Sequence, residues 1–280
     1  MKTNDIKELK KIAVACRKNV LRMVKAEGSG HLGPAFSCED ILTALYFHRL
    51  NVDPKDPMKE DRDIFLLSAG HKAMAQYAAM AEAGYFDKTV LDTFGQFKSI
   101  IAGHPCMHLL PGIEANTGSL GHGIAIAAGM ALGKRQDGIP ATVFVLTGDG
   151  ELAEGLNWEG VATAAHYGLD NLCIIVDHNG LQISGHTKDV MSYEPVADHF
   201  KGFGCAVREI NGNDMAEIVE ALDAVPCDQG RPRGIVATTL KGCGFSKSAG
   251  QASCHYWAYD EDGYNECMAE LDQILAEVEA

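Results

Sequence analysis

VFVLTGDGELAEGL, residues 143–156, joins a run of mostly apolar, β-favouring residues to a Gly-Asp-Gly turn and then to a segment bearing two carboxylates. An aspartate at the end of a buried strand has two readings. Asp and Gly tolerate unusual backbone angles, so any strand-to-helix connection of an α/β protein can carry them. Alternatively, glycines let a backbone approach a diphosphate while the carboxylate supplies a hard oxygen for Mg²⁺. The turn alone does not decide.

The chain then reads NLCIIVDHNGLQISG, residues 171–185, a second apolar run that ends in Asp177-His178-Asn179-Gly180. Two parallel strands joined by one helix bring their C-terminal ends side by side, so Asp149 and Asn179 are expected at the same sheet edge, where α/β sheets bind ligands. A carboxylate and an amide oxygen make a poor all-protein cage. Mg²⁺ takes few protein ligands and completes its octahedron with phosphate oxygens and water, so the pair implies a phosphorylated ligand.

Outside these strands the chain alternates in the same way. Leu9, Ile12, Ala13, Cys16, Val20, Met23 and Val24 give the opening segment one apolar face. In AEGSGHLGPAFSCED, Gly28, Gly30, Gly33 and Pro34 are expected to break any helix, with Ser37 capping the next one and Asp40 at the capping-box position. Residues 64–71, 205–212 and 234–242 read as further strands, and residues 117–135 as a glycine-rich entry to a small-residue helix. The expectation is one α/β domain with four or five parallel strands flanked by helices.

Composition narrows the function. The chain has 280 residues, 46% of them hydrophobic, which suits a globular core. A net charge of −14 argues against nucleic-acid or anionic-membrane surfaces, and no apolar run approaches a membrane span, so neither partner is expected and a cytoplasmic location is. Nine cysteines, at 16, 38, 106, 173, 205, 227, 243, 254 and 267, form no CxxC pair and are expected as reduced thiols.

His31, His71, His104 and His255 all sit in loops or at strand ends, three of them beside glycine. Any one histidine could be an idle surface or core residue. Together, at glycine-flanked turns, they suggest imidazoles brought to a cleft, suited to moving protons and holding oxygens near neutral pH.

The succession SGHLG, SAGH, GHP, TGSLGHG, GDGELAEG and VDHNGLQISG resembles the cofactor-binding N-terminal half of transketolases over nearly the whole chain. The resemblance implies the thiamine-diphosphate-binding fold, with Asp149, Asn179 and the Leu181 carbonyl on Mg²⁺, a place Ca²⁺ or Mn²⁺ could also fill. It puts Gly150 at the diphosphate and Gly118, Ser119 and Leu120 at the aminopyrimidine. His71 is implied at diphosphate and substrate, and His31 and His104 at the sugar hydroxyls. Lys241 and His255, in KGCGFSKSAGQASCH, fall where some members carry a lysine reaching the diphosphate and a histidine at cofactor and substrate. Glu154 matches a glutamate at the subunit interface between active sites. The chain departs from the family at Tyr256 and Trp257, where glycine usually follows the histidine, and also at His122 and His178.

In the family, the glutamate that activates the aminopyrimidine lies in a second, pyrimidine-binding domain. This chain ends at LDQILAEVEA, so the resemblance implies a split enzyme, with residues 1–280 the diphosphate-binding domain and the pyrimidine-binding and C-terminal domains on a partner chain. The working particle is then expected to be an α2β2 heterotetramer that moves a two-carbon ketol group from a ketose phosphate to an aldose phosphate. Pentose phosphates are the default substrates. A subunit like 1-deoxy-D-xylulose-5-phosphate synthase, an alpha subunit of a 2-oxo acid dehydrogenase, and a non-catalytic thiamine-diphosphate-binding paralogue are the alternatives.

Overall fold

The computed structural model describes residues 2–183, 185–226 and 230–280. Five strands form one parallel sheet: β1 (Ile64–Leu67), β2 (Val143–Gly148), β3 (Leu172–His178), β4 (Ala206–Asn211) and β5 (Arg233–Thr238), in the order β1-β2-β3-β5-β4. β2 and β3 are buried along almost their whole length, as strands of a parallel sheet covered on both faces must be. Their side chains alternate between two apolar layers. Phe144, Leu146, Cys173 and Ile175 face one, and Val143, Val145, Ile174 and Val176 the other.

The first layer is built on α1 (Ile6–Glu27), α2 (Leu32–Ala44) and α3 (Ala73–Ala83); the second on α4 (Gly123–Gln136) and α5 (Gly155–His166). α1 starts where the Asp5 side chain accepts from the Lys7 N–H, and it stops at Gly28, whose left-handed φ of 86° ends the helix. Its predicted stripe of Leu9, Ala13, Cys16, Val20, Met23 and Val24 is buried.

α2 corrects one expectation. It begins at Leu32, so Gly33 and Pro34 lie inside its first turn and Ser37 is mid-helix, not its cap. Proline is tolerated there because the first backbone N–H groups of a helix have no partner within it. Ser37 instead donates to Asp177 Oδ1 at 2.7 Å, and Asp40 pairs with Arg17 through two bonds of 2.9 and 2.8 Å. The strand expected over residues 64–71 stops at Leu67, and Gly70–Lys72 form a tight turn into α3.

Eight cysteines are free thiols; Cys227 lies outside the described residues. Among the described residues no helix is long and apolar enough to cross a membrane.

Candidate functional site

Beyond the carboxyl ends of β2 and β3 opens a cavity of about 360 Å³. The register pairs Gly148 with Asp177, so the two strands run out at the same level and the turns that follow them face one another. Asp149 Oδ1 accepts from the Gly150 N–H at 2.7 Å, and its Oδ2 accepts from Gly180 N–H at 2.6 Å. Asn179 turns its amide nitrogen towards Ser37 Oγ, at 3.2 Å, and its oxygen accepts from the Leu181 N–H at 3.1 Å.

Most of the residues singled out in the sequence meet here. His31, His71, His104, Gly118, Leu120, Asp149, Gly150, Asn179, Leu181, Lys241 and His255 all line the cavity. Ser119 and Glu154 do not. Both are exposed, and Glu154 packs its Cβ where a side chain at Gly121 would have to go, 2.3 Å from such an atom.

Three imidazoles form a triangle, with ring centroids 5.4 Å apart for His31 and His71, 5.3 Å for His31 and His255, and 5.2 Å for His71 and His255. Burial, reinforced by neighbouring cations, drives each pKa down: to about 4 at His31, about 2 at His71 and about 3 at His255. All three rings are therefore neutral at pH 7, each able to donate one hydrogen bond and accept another. Lys241 Nζ stands 3.1 Å from His255 Nδ1 and 3.3 Å from the Leu181 carbonyl oxygen. Burial and then the nearby Lys72 charge lower the Lys241 pKa.

Under the cavity floor lies a network that the sequence reading missed. Lys72 and Asp177 form a salt bridge, and both are buried. Ser37 and Thr239 also donate to Asp177, while Asn179 Nδ2 reaches its Oδ2 at 3.3 Å. Burial alone would raise the Asp177 pKa, but Lys72 and these donors outweigh it and hold the carboxyl below its usual value. Glu151 is a second tie. It accepts from the Gly121 N–H at 2.8 Å and from Thr147 Oγ1 at 2.7 Å, fastening the TGSLGHG loop to the end of β2. Lys72 carried a sequence signal in standing directly after His71, yet a lysine at a helix start usually reads as solvated.

The donor set fits a hard cation shared with a diphosphate. Asp149, Asn179 and Leu181 line the cavity and offer a carboxylate, an amide oxygen and a main-chain carbonyl, too few for an all-protein cage but suited to an ion that keeps phosphate oxygens in its shell. Burial, with Asp177 adding repulsion, raises the Asp149 pKa, a cost that a bound cation would offset. No cluster of three or more His, Cys, Asp or Glu side chains able to hold a metal occurs among the described residues. Missing side chains let the backbone close up around the cavity: a Cβ on Gly150, which lines it, would fall 2.6 Å from Gln182 Cγ, and one on Gly70 would fall 2.8 Å from the Gly118 nitrogen.

Comparison with known proteins gives a consistent picture. Residues 9–272 match the family described as transketolase, thiamine diphosphate binding domain. The chain is 42% identical over 265 residues to an apulose-4-phosphate transketolase subunit of Actinobacillus succinogenes, covering 94% of this chain and 96% of that one. It is 37% identical over 266 residues to a 6-deoxy-6-sulfo-D-fructose transketolase subunit of a Clostridium species, covering 95% and 97%. Among solved structures, transketolase from Campylobacter jejuni superposes with a TM-score of 0.89 at 30% identity, over 96% of this chain and 43% of that chain. The chain thus spans less than half the length of the solved transketolases it matches.

Proposed function

This chain belongs to the transketolase family as an N-terminal, thiamine-diphosphate-binding subunit, and on that premise we propose that it is one half of a two-chain enzyme transferring a two-carbon ketol group from a ketose phosphate to an aldose phosphate. The convergence of Asp149, Asn179 and the Leu181 carbonyl with Lys72, Lys241 and His71 in one cavity carries the reading. The oxygens would hold Mg²⁺, Lys241 would offset charge on the diphosphate, and the neutral His71 imidazole would donate a hydrogen bond to it. Thiamine diphosphate supplies the nucleophilic carbon at which the sugar's carbon–carbon bond is broken and remade.

The chain's own side chains do the rest of the work on this wall. His31, His104 and His255 hydrogen-bond sugar hydroxyls, a task that polyhydroxylated substrates demand and that small 2-oxo acids do not. His71 reaches both diphosphate and substrate. The relatives' names point to ketoses that end in an anionic group, and the default here is a sugar phosphate.

The second half of the site is assigned to a separate pyrimidine-binding partner, in a particle with two copies of each chain. Ile183, 75% exposed at the cavity, and Leu240, 47% exposed, leave apolar surface of the kind an assembly covers. The test is reconstitution. The chain alone should be silent, and adding the partner should restore ketol transfer, saturating near equimolar ratio, without consumption of pyruvate. Ketol transfer at full rate by this chain alone would overturn the two-chain reading.

A further inference from the structure

His31 is a candidate sugar-binding side chain that hydrogen bonds do not orient. Among the described residues neither of its ring nitrogens has a hydrogen-bond partner. The terminal torsion of a histidine is soft, so packing alone sets where its nitrogens face. Three rings surround it, and two of them, His71 and His255, open onto the same cavity. The third is Tyr256, whose ring meets His31 edge-on, with centroids 4.9 Å apart and planes at 80°.

Tyr256 is tied down from outside the cavity. Its hydroxyl lies 2.7 Å from Ser29 Oγ. The residues on either side of this contact are paired: Ser29 with Ala258 and Gly30 with Trp257, in a short antiparallel ribbon. Trp257 in turn packs its ring against Phe245, at 6.1 Å. The ribbon therefore grips the chain just before His31 and just after Tyr256, and it fixes the two rings relative to one another.

We propose that Tyr256 is a positioning residue: locked to Ser29, its ring holds the His31 imidazole with a nitrogen facing the cavity, ready to meet a hydroxyl of the sugar substrate. The proposal rests on the sugar-binding role given above to His31. Tyr256 is not among the residues that line the cavity, so its effect on substrate runs through His31.

Two measurements test it. In the full chain with isotope-labelled histidine, the His31 ring resonances, identified by their loss in His31→Ala, should shift in Tyr256→Ala and shift less in Tyr256→Phe, which keeps the ring but loses the hydroxyl tie to Ser29. The His31 titration should also move up towards its ordinary value in Tyr256→Ala, because water then reaches a ring that burial keeps neutral. With the partner added, Tyr256→Ala should lower kcat/KM for a ketose phosphate roughly two- to tenfold, mainly through KM, with thiamine diphosphate affinity unchanged. In a His31→Ala background the same change should have no further effect. Unmoved His31 resonances in Tyr256→Ala, or additive losses in the double variant, would overturn the proposal. Absence of any ketol transfer by the wild-type pair would instead count against the proposed function, and the resonances would still decide what Tyr256 does to His31.

Discussion

Lys241 Nζ and His255 Nδ1 stand 3.1 Å apart, a separation at which the ammonium donates and the imidazole accepts. With Nδ1 occupied as the acceptor, a neutral His255 carries its proton on Nε2, the only ring nitrogen left to donate to a bound ligand. Replacing Lys241 with Met removes both that donor and a positive neighbour. The His255 titration, depressed to about 3 by burial and then by Lys241, should move upwards in histidine resonance spectra. Thiamine diphosphate affinity should fall about ten- to a hundredfold, as expected for losing a hydrogen bond to a charged group.

Asp149→Ala should weaken Mg²⁺-dependent binding of thiamine diphosphate by about a hundredfold or more, and Asn179→Ala by less, since one removes a charged ligand and the other a neutral oxygen. Calorimetry with the chain and its partner measures both. Equal affinities for wild type and the Asp149 variant would end the metal assignment.

His31→Ala and His104→Ala should leave cofactor affinity nearly intact while costing a few-fold to a few hundred-fold in kcat/KM for sugar phosphates. The larger loss is expected at His31, which is partly buried, and the smaller at His104, which is exposed at the mouth. If both variants lose their fold by circular dichroism, the two rings are structural.

The ligand-free chain should lose stability as the pH drops from 6.5 towards 4. His31, His71 and His255 have folded-state values of about 4, 2 and 3, all below the ordinary 6.5. In that window the unfolded chain binds more protons than the folded one, so stability rises with pH. Urea unfolding at a series of pH values should show the slope, and His71→Asn should flatten it by up to about one proton. A slope unchanged in that variant would mean that His71 is charged in the folded state.

Asp40→Ala should destabilise the chain by about 3–5 kcal/mol, because it strands a buried guanidinium. Arg17 also donates to the Phe36 carbonyl at 3.2 Å and the Cys243 carbonyl at 3.0 Å, so the same change should loosen the segment that carries Lys241. Chemical denaturation measures the first effect and hydrogen exchange at residues 241–245 the second.

The strands were legible because a covered parallel sheet demands unbroken apolar runs, and residues 143–146 and 172–176 supply them. Asp149 and Asn179 followed from where such runs end. The start of α2 was not legible, because Gly33 and Pro34 are punctuation in a sequence but fit a first helical turn whose N–H groups need no partner within the helix. Nor was the Lys72–Asp177 pair, whose members are 105 positions apart and belong to no shared motif. Ser37, read as a cap, serves that same buried carboxylate. Local rules assign a serine to its nearest backbone, whereas here a distant strand claims it.

Gly70 and Gly118 meet backbone to backbone, with no room between them for even a methyl group. That contact is made of peptide planes, so an alanine at Gly70 would press on the backbone of Thr117 and Gly118, whereas one at Gly118 would press on the His104 ring. Side-chain change costs the scaffold less at the exposed His104 and Ile183, which line the cavity mouth.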